Sequence, residues 1–211
     1  NAPGIYKSTD GISWTAAGGN GNIMQAAWNG STWVVVEPGG SGVVGSGNHT
    51  IATSTNGTTW TGQGQVFANS GNDVAWNGSV WVAVGDSNGG TSIAYTTNTA
   101  GTSGWTAAVS PFSTRAYGVA WNGSIFVAAG RGTNTIATST DGVNWTGRGT
   151  PGGLLLQDVS WNGSIFIAVG GNTNYLVTST DGITWSTPTS PLNGYGRGVG
   201  TSPAPNLYPP I

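Results

Sequence analysis

The sequence predicts an all-β fold, a five-bladed β-propeller of four-stranded blades, and two interleaved markers are the first reason. Trp-Asn-Gly-Ser begins at Trp28, Trp76, Trp121 and Trp161, and Ser-Thr-Asp-Gly-x-x-Trp or a close variant ends at Trp14, Trp60, Trp105, Trp145 and Trp185. The markers alternate and recur roughly every 40–48 residues, the period of a repeat whose unit holds four short strands. The second reason is a set of runs, Trp33-Val34-Val35-Val36 among them, that are apolar on both faces, as a strand covered from both sides must be.

In the unit that contains Gly118–Trp121, those residues form the first strand, Ile125–Ala129 the second, Thr135–Thr140 the third, and the stretch around Trp145 the fourth. Asn29-Gly30, Asn77-Gly78, Asn122-Gly123 and Asn162-Gly163 join first strands to second, and Asn-Gly between apolar runs predicts a tight two-residue hairpin with both central residues at positive φ. The second strands Trp81–Val84, Phe126–Ala129 and Phe166–Val169 repeat the two-sided apolar pattern of Trp33–Val36. Repeat units fall near 22–62, 70–107, 115–147 and 155–187 of one domain, 1–211. A fifth, composite unit combines 195–211 with 1–17: Ile5–Ser8 and the stretch around Trp14 supply its third and fourth strands, and Arg197–Ser202 a degenerate first strand. That closure would leave no open sheet edge.

Composition narrows the function. Lys and Arg number 5 against 7 Asp and Glu, too few cations to hold a nucleic-acid backbone or an anionic membrane surface. There is no Cys, hence no disulfide, thiol nucleophile or thiolate metal site. No apolar run approaches the roughly 20 residues of a membrane helix. Only 6% of residues are charged, but 11 Trp and abundant Val, Ile and Ala argue for a buried core.

At Ser8-Thr9-Asp10-Gly11-Ile12-Ser13-Trp14 and Ser179-Thr180-Asp181-Gly182-Ile183-Thr184-Trp185 the chain resembles the Asp-box (BNR-like) propellers, a family of sialidases and many non-enzymatic repeat proteins. The resemblance spans all five repeats and implies the fold, with the turn joining third and fourth strands on the side away from the ligand. The family's usual box has one more residue between Asp and Gly, two copies here carry Asn56 and Asn98 instead of Asp, and the third, Thr97–Trp105, is expanded. Asp10, Asn56, Asn98, Asp141 and Asp181 are therefore structural turn residues, expected to accept backbone N–H bonds two or three residues on.

Each remaining candidate was weighed against its structural role. Nine Trp occupy the marker positions and Trp33 and Trp81 a second-strand position, so core packing explains them better than sugar stacking. His49 is the only His, too little for a triad or a metal site. The sialidase-type site implied by the resemblance needs an arginine cluster, an acid/base Asp and a Tyr–Glu pair, whereas Glu37 is the sole Glu and five blades depart from the usual six. A two-carboxylate glycosidase would have to use a pair such as Asp73 and Asp158. In a propeller, loops joining second to third strands and consecutive blades emerge on one face. That placement gathers Glu37, His49, Asp73, Asp86, Arg115, Tyr117, Arg131, Arg148, Gln157, Asp158, Tyr195 and Arg197 as a candidate ligand face. The expected function is non-catalytic binding of a glycan or surface macromolecule by an extracellular, cell-surface or virion protein, with no cofactor, metal, nucleic acid or membrane insertion. The alternatives are a self-associating building block of a virion, appendage or surface assembly, and a sialidase-like glycoside hydrolase.

Overall fold

The computed structural model describes residues 5–17, 22–40, 47–86, 88, 90–151, 153, 155–171, 176–189 and 196–200, and all regular structure among them is strand, with no helix. Two compact units divide the chain, Asn1–Ser110 and Pro111–Ile211. In the first, β1 (Tyr6–Lys7) and β2 (Thr15–Ala16) pair antiparallel. A meander of β3 (Gln25–Trp28), β4 (Trp33–Val36), β5 (Ile51–Ser54) and β6 (Thr61–Gly62) follows. A second meander comprises β7 (Ser70–Trp76), β8 (Trp81–Asp86), β9 (Ile93–Thr96) and β10 (Thr106–Ala107). In the second unit, β11 (Arg115–Trp121), β12 (Phe126–Arg131), β13 (Ile136–Ser139) and β14 (Thr146–Gly147) form one meander. The last consists of β15 (Leu155–Trp161), β16 (Phe166–Gly171) and β17 (Leu176–Ser179), with a single bridge from Thr178 to Ser186 where a fourth strand would lie. β15 with β16 and β16 with β17 pair in the same register as their counterparts, so the sheets are repeats in register as well as in sequence.

The first-to-second-strand connections differ from the expected two-residue hairpin. Trp28 pairs with Trp33, Trp76 with Trp81, Trp121 with Phe126 and Trp161 with Phe166, which leaves four residues in each loop. Only the glycine takes positive φ, between 97° and 101° at Gly30, Gly78, Gly123 and Gly163. The Asn stays in the ordinary region because its side chain replaces the missing backbone bond: Asn29 Oδ1 accepts N–H bonds from Ser31 at 3.0 Å and Thr32 at 2.8 Å. The same Asx turn recurs at Asn77, Asn122 and Asn162.

The core lies on both faces of the second strands. Val34, Trp81, Ala83 and Phe67 are buried in one apolar cluster of the first unit, and Val127, Ala129, Leu156 and Phe166 in one of the second. Full burial of each large side chain contributes about 1.5–3 kcal/mol. Glycine at the second-strand positions 85, 130 and 170 is a matter of space, since a Cβ there would collide with the carbonyls of Ser70, Arg115 and Leu155 on the adjacent first strand. Consecutive meanders are joined by backbone. Gly71 N–H donates to Glu37 O at 3.0 Å in the first unit, and Arg131 pairs with Leu155 in the second.

Each of β7, β11 and β15 is bulged near its start, the register shifting between Gly71 and Asp73, Ala116 and Gly118, and Leu156 and Asp158. A bulge re-aims the side chains around it. These three irregularities carry Asp73, Tyr117, Gln157 and Asp158.

Candidate functional site

The turn acids act as caps. Asp10 Oδ1 accepts N–H bonds from Ile12 and Ser13 and the Ser8 hydroxyl, each at 2.8 Å, while Ser8 Oγ accepts the N–H of Gly11. Asn56 with Ser54, Asp141 with Ser139 and Asp181 with Ser179 repeat this pattern. The N–H of Thr184 and of Ile183 hold the Asp181 carboxyl below the usual carboxylate range. At Asp141, burial opposes ionisation, but bonds from the backbone and side chain of Asn144, with those of Val143 and Ser139, outweigh it and the carboxyl is again lowered. Asn98 departs from the set: its Oδ1 accepts from Ala100 at 3.0 Å, and its Nδ2 donates to Ser103 Oγ at 2.9 Å across the longer turn.

Asp73 and Asp158, the carboxylates a glycosidase would need, serve the bulges. Asp73 Oδ1 accepts from Val74 N–H at 2.7 Å, and Asp158 Oδ1 from Val159 N–H at 2.8 Å. The other oxygen of Asp158 accepts the N–H of Val199 at 2.7 Å, tying β15 to the segment after the last meander. Burial raises the Asp158 carboxyl above its ordinary range, against the opposing pull of the Val199 and Val159 N–H bonds. Both carboxylates thus accept backbone N–H groups next to a bulge.

Other candidates are placed away from solvent. Glu37 is fully buried, and Asp86 is 4% exposed with its carboxylate bonded to Asn88 N–H and Asn69 Nδ2. His49 is half-buried against Gly47 and Gly62, and its Nδ1 accepts the Gly64 N–H at 3.0 Å, so the ring is committed to the backbone. These three side chains do not form an open ligand face. Tyr195 lies outside the described residues.

Of the remaining described candidates, Arg131 and Arg197 are exposed, and Arg115, Tyr117, Arg148 and Gln157 are half-buried. Arg115 and Arg131 are direct cross-strand partners at the ends of β11 and β12. The Arg115 guanidinium lies 5.5 Å from the ring centre of Tyr117, the extra residue of the β11 bulge, within cation–π range. Arg131 is exposed, and Thr114 Oγ1 donates to its carbonyl. Like charges directly opposite one another repel, so an anion that bridges them would be favoured. Arg148 is half-buried, its Nε donating to Thr138 Oγ1 at 2.9 Å. Gln157 occupies the bulge position of β15 equivalent to Tyr117 and is half-buried, and Arg197 is exposed. The second unit therefore presents Arg115, Tyr117 and Arg131 as one constellation.

No curated protein matches the chain in sequence. Among solved structures, one from a nidogen/laminin complex superposes with a TM-score of 0.64 at 13% identity, over 90% of this chain and 72% of that one. A GH74 enzyme of Niastella koreensis gives a TM-score of 0.55 at 19% identity, over 82% of this chain but 25% of the enzyme. The computationally designed Ika4 protein gives 0.54 at 12% identity, over 79% of this chain and 95% of the design. At such identities the likeness is one of fold alone. A family model described as the DUF6242 beta propeller domain matches residues 68–194, more than half of the sequence, and the chain accordingly belongs to that family of β-propellers.

Proposed function

We propose that this chain is a non-catalytic binding module of an extracellular, cell-surface or virion protein, which recognises a glycan or surface macromolecule carrying anionic groups. The observation that carries the reading is the Arg115–Arg131 cross-strand pair with Tyr117 against Arg115, placed where the loops after the second strands emerge. Two arginines opposite one another on paired strands suit a carboxylate or sulfate, and the tyrosine ring suits the apolar face of a sugar. The engagement of Asp73 and Asp158 with backbone N–H groups supports a binding role over hydrolysis, because a general acid or nucleophile needs its oxygens directed at substrate. In this reading the family fold takes its five-bladed form, closed by a composite blade from both ends of the chain, and the Ser–Asp turns mark a non-enzymatic relative of the Asp-box propellers.

The test is a glycan array that includes sialylated, uronic-acid and sulfated oligosaccharides, probed with the unmodified chain and with Arg115→Ala, Arg131→Ala together. Selective binding that falls at least about tenfold, or 1.4 kcal/mol, in the double variant is expected. Acidic-glycan binding that survives the double substitution would remove the reading.

A second reading, a self-associating building block, is favoured by one observation. Tyr6, Ile12, Trp14, Trp28 and Trp33 are 37–84% exposed, an unusual display of large apolar side chains on β1–β4 and the intervening turn. Sedimentation velocity across a concentration series separates the two: growth in mass that Trp28→Ser, Trp33→Ser abolishes would favour assembly.

A further inference from the structure

One repeat-breaking feature has no part in the arginine face. The third turn, between β9 and β10, is longer than its counterparts, and its added residues form one wall of a groove of about 620 Å³. Thr102, Ser103 and Trp105 lie on that side, and Gln63 and Gln65, just beyond β6, lie on the other. We propose that this groove is a second binding site, for a neutral carbohydrate chain.

The lining chemistry selects the ligand. The side chains are two primary amides, two hydroxyls, an indole and the small apolar groups of Val66 and Ala107, and none of the lining residues is ionisable. A charged ligand would meet no counter-charge, and a purely apolar one would leave the amides unmatched. A neutral sugar offers hydroxyl groups for the amides and a C–H face for the indole. The volume falls within the range of small-molecule sites, roughly 300–1,000 Å³.

The groups are also pre-positioned. Gln63 Nε2 donates to Thr53 Oγ1 at 2.9 Å and to the Thr61 carbonyl at 3.0 Å, which consumes both amide hydrogens and leaves Oε1 as the remaining acceptor. Gln65 Nε2 donates to Ala68 O at 2.8 Å, with the same result for its carbonyl oxygen. Trp105 is fixed by its Nε1–H bond to Gly101 O at 2.9 Å and by packing on the apolar cluster. Ser103 is held at its carbonyl by Thr96 Oγ1 and at its hydroxyl by Asn98 Nδ2. Such ordering removes much of the entropic cost of binding.

The corresponding register of the second unit shows what the site replaces. There Arg148 stands where Gln63 does, three residues past the marker Trp, and bonds Thr138 as Gln63 bonds Thr53. The Asp141 and Asp181 turns lack the added residues. The wall at Thr97–Trp105 thus departs from the repeat, and at the register of Gln63 the meander of Trp145 carries a cation, Arg148, where the groove has a neutral amide.

The experiment is titration of the folded chain with cellohexaose, xylohexaose and mannohexaose, followed by NMR chemical shifts of the tryptophan indole N–H groups. The variants are Gln65→Ala, Thr102→Ala, both exposed and safe for folding, Trp105→Phe, and the Arg115→Ala, Arg131→Ala pair. Binding of a neutral hexaose that weakens at least tenfold in the groove variants and is unchanged in the arginine pair is expected. Neutral binding unaffected by the groove variants would overturn the proposal. So would the absence of any shift at millimolar sugar, or binding confined to acidic glycans and lost in the arginine pair, an outcome that would leave the arginine face intact.

Discussion

Trp33 in the first unit and Phe166 in the second hold the same place, the first residue of a second strand paired with a marker Trp, yet they end in different surroundings. The ring pairs are nearly alike, Trp28–Trp33 at 5.0 Å and Trp161–Phe166 at 4.6 Å. Phe166 is fully buried, whereas Trp33 is 37% exposed. The difference comes from the turns. Gly182 of the last turn sits against Phe166 and against Val127 of the preceding meander, and Trp185 lies 6.4 Å from the Phe166 ring. At Gly57, the same place in the first meander's turn, a Cβ would meet nothing within 4 Å. Strand pairing fixes which side chains face outward from a sheet, but it is the neighbouring turn that decides whether they are dry.

The sharpest way to break that comparison is truncation. Phe166→Ala should cost about 3–5 kcal/mol in urea unfolding, and Trp33→Ala clearly less, because part of its surface stays in water in either state. Equal costs would mean that the first meander's face is covered in solution. Next in size, Asp158→Ala should cost about 1–3 kcal/mol by leaving the Val159 and Val199 amides without acceptors. Hydrogen exchange should then quicken at Val199, and unchanged protection there would show that the bond is dispensable. The smallest effect concerns pH. Asp141 and Asp181 have carboxyls lowered in the fold, so their contribution is present above the unfolded value of 3.8 and is lost as pH falls below it. Asp158 is raised and acts with the opposite sign, its destabilising charge being relieved on acidification. Asp141→Asn with Asp181→Asn should therefore flatten the drop in melting temperature between about pH 4 and pH 2, and an unaltered drop would place acid sensitivity elsewhere.

The elements that the sequence made legible are those written in local chemistry. Asn-Gly-Ser after Trp located the first turns, and the Ser–Asp turns were readable because donor and acceptor are two or three residues apart. The four-residue loop was misread for an equally local reason, since Asn serves both as a positive-φ residue and as an Asx cap and the dipeptide does not say which. Long-range facts left no trace. Asp158 and Val199 are 41 residues apart, and the role of Asp158 depends on a bulge that no motif announces. Glu37 shows the same limit. It falls at the register of Gly85, Gly130 and Gly170, and a charged residue ending an apolar run reads as a loop when it is in fact buried. The expanded turn at Thr97–Trp105 was visible, but its partner wall at Gln63 and Gln65 was not, because glutamine near a strand end carries no signal of its own.

The residue before the valine of the bulged strands is Asp73 in β7, Gly118 in β11 and Asp158 in β15, and Gly198 precedes Val199 in the segment after the last meander. In the second unit the Gly118–Asp158 pair has a steric basis, because a Cβ at Gly118 would lie 2.8 Å from Asp158 Oδ1, whereas a Cβ at Gly198 would make only ordinary contact with Oδ2, 3.7 Å away. An Asp at 118 would set two carboxylates against each other, and a Gly at 158 would remove the acceptor. Neighbouring repeats are therefore not interchangeable parts. An exchange of one repeat for another would have to carry both members of the Gly118–Asp158 pair to keep that contact open.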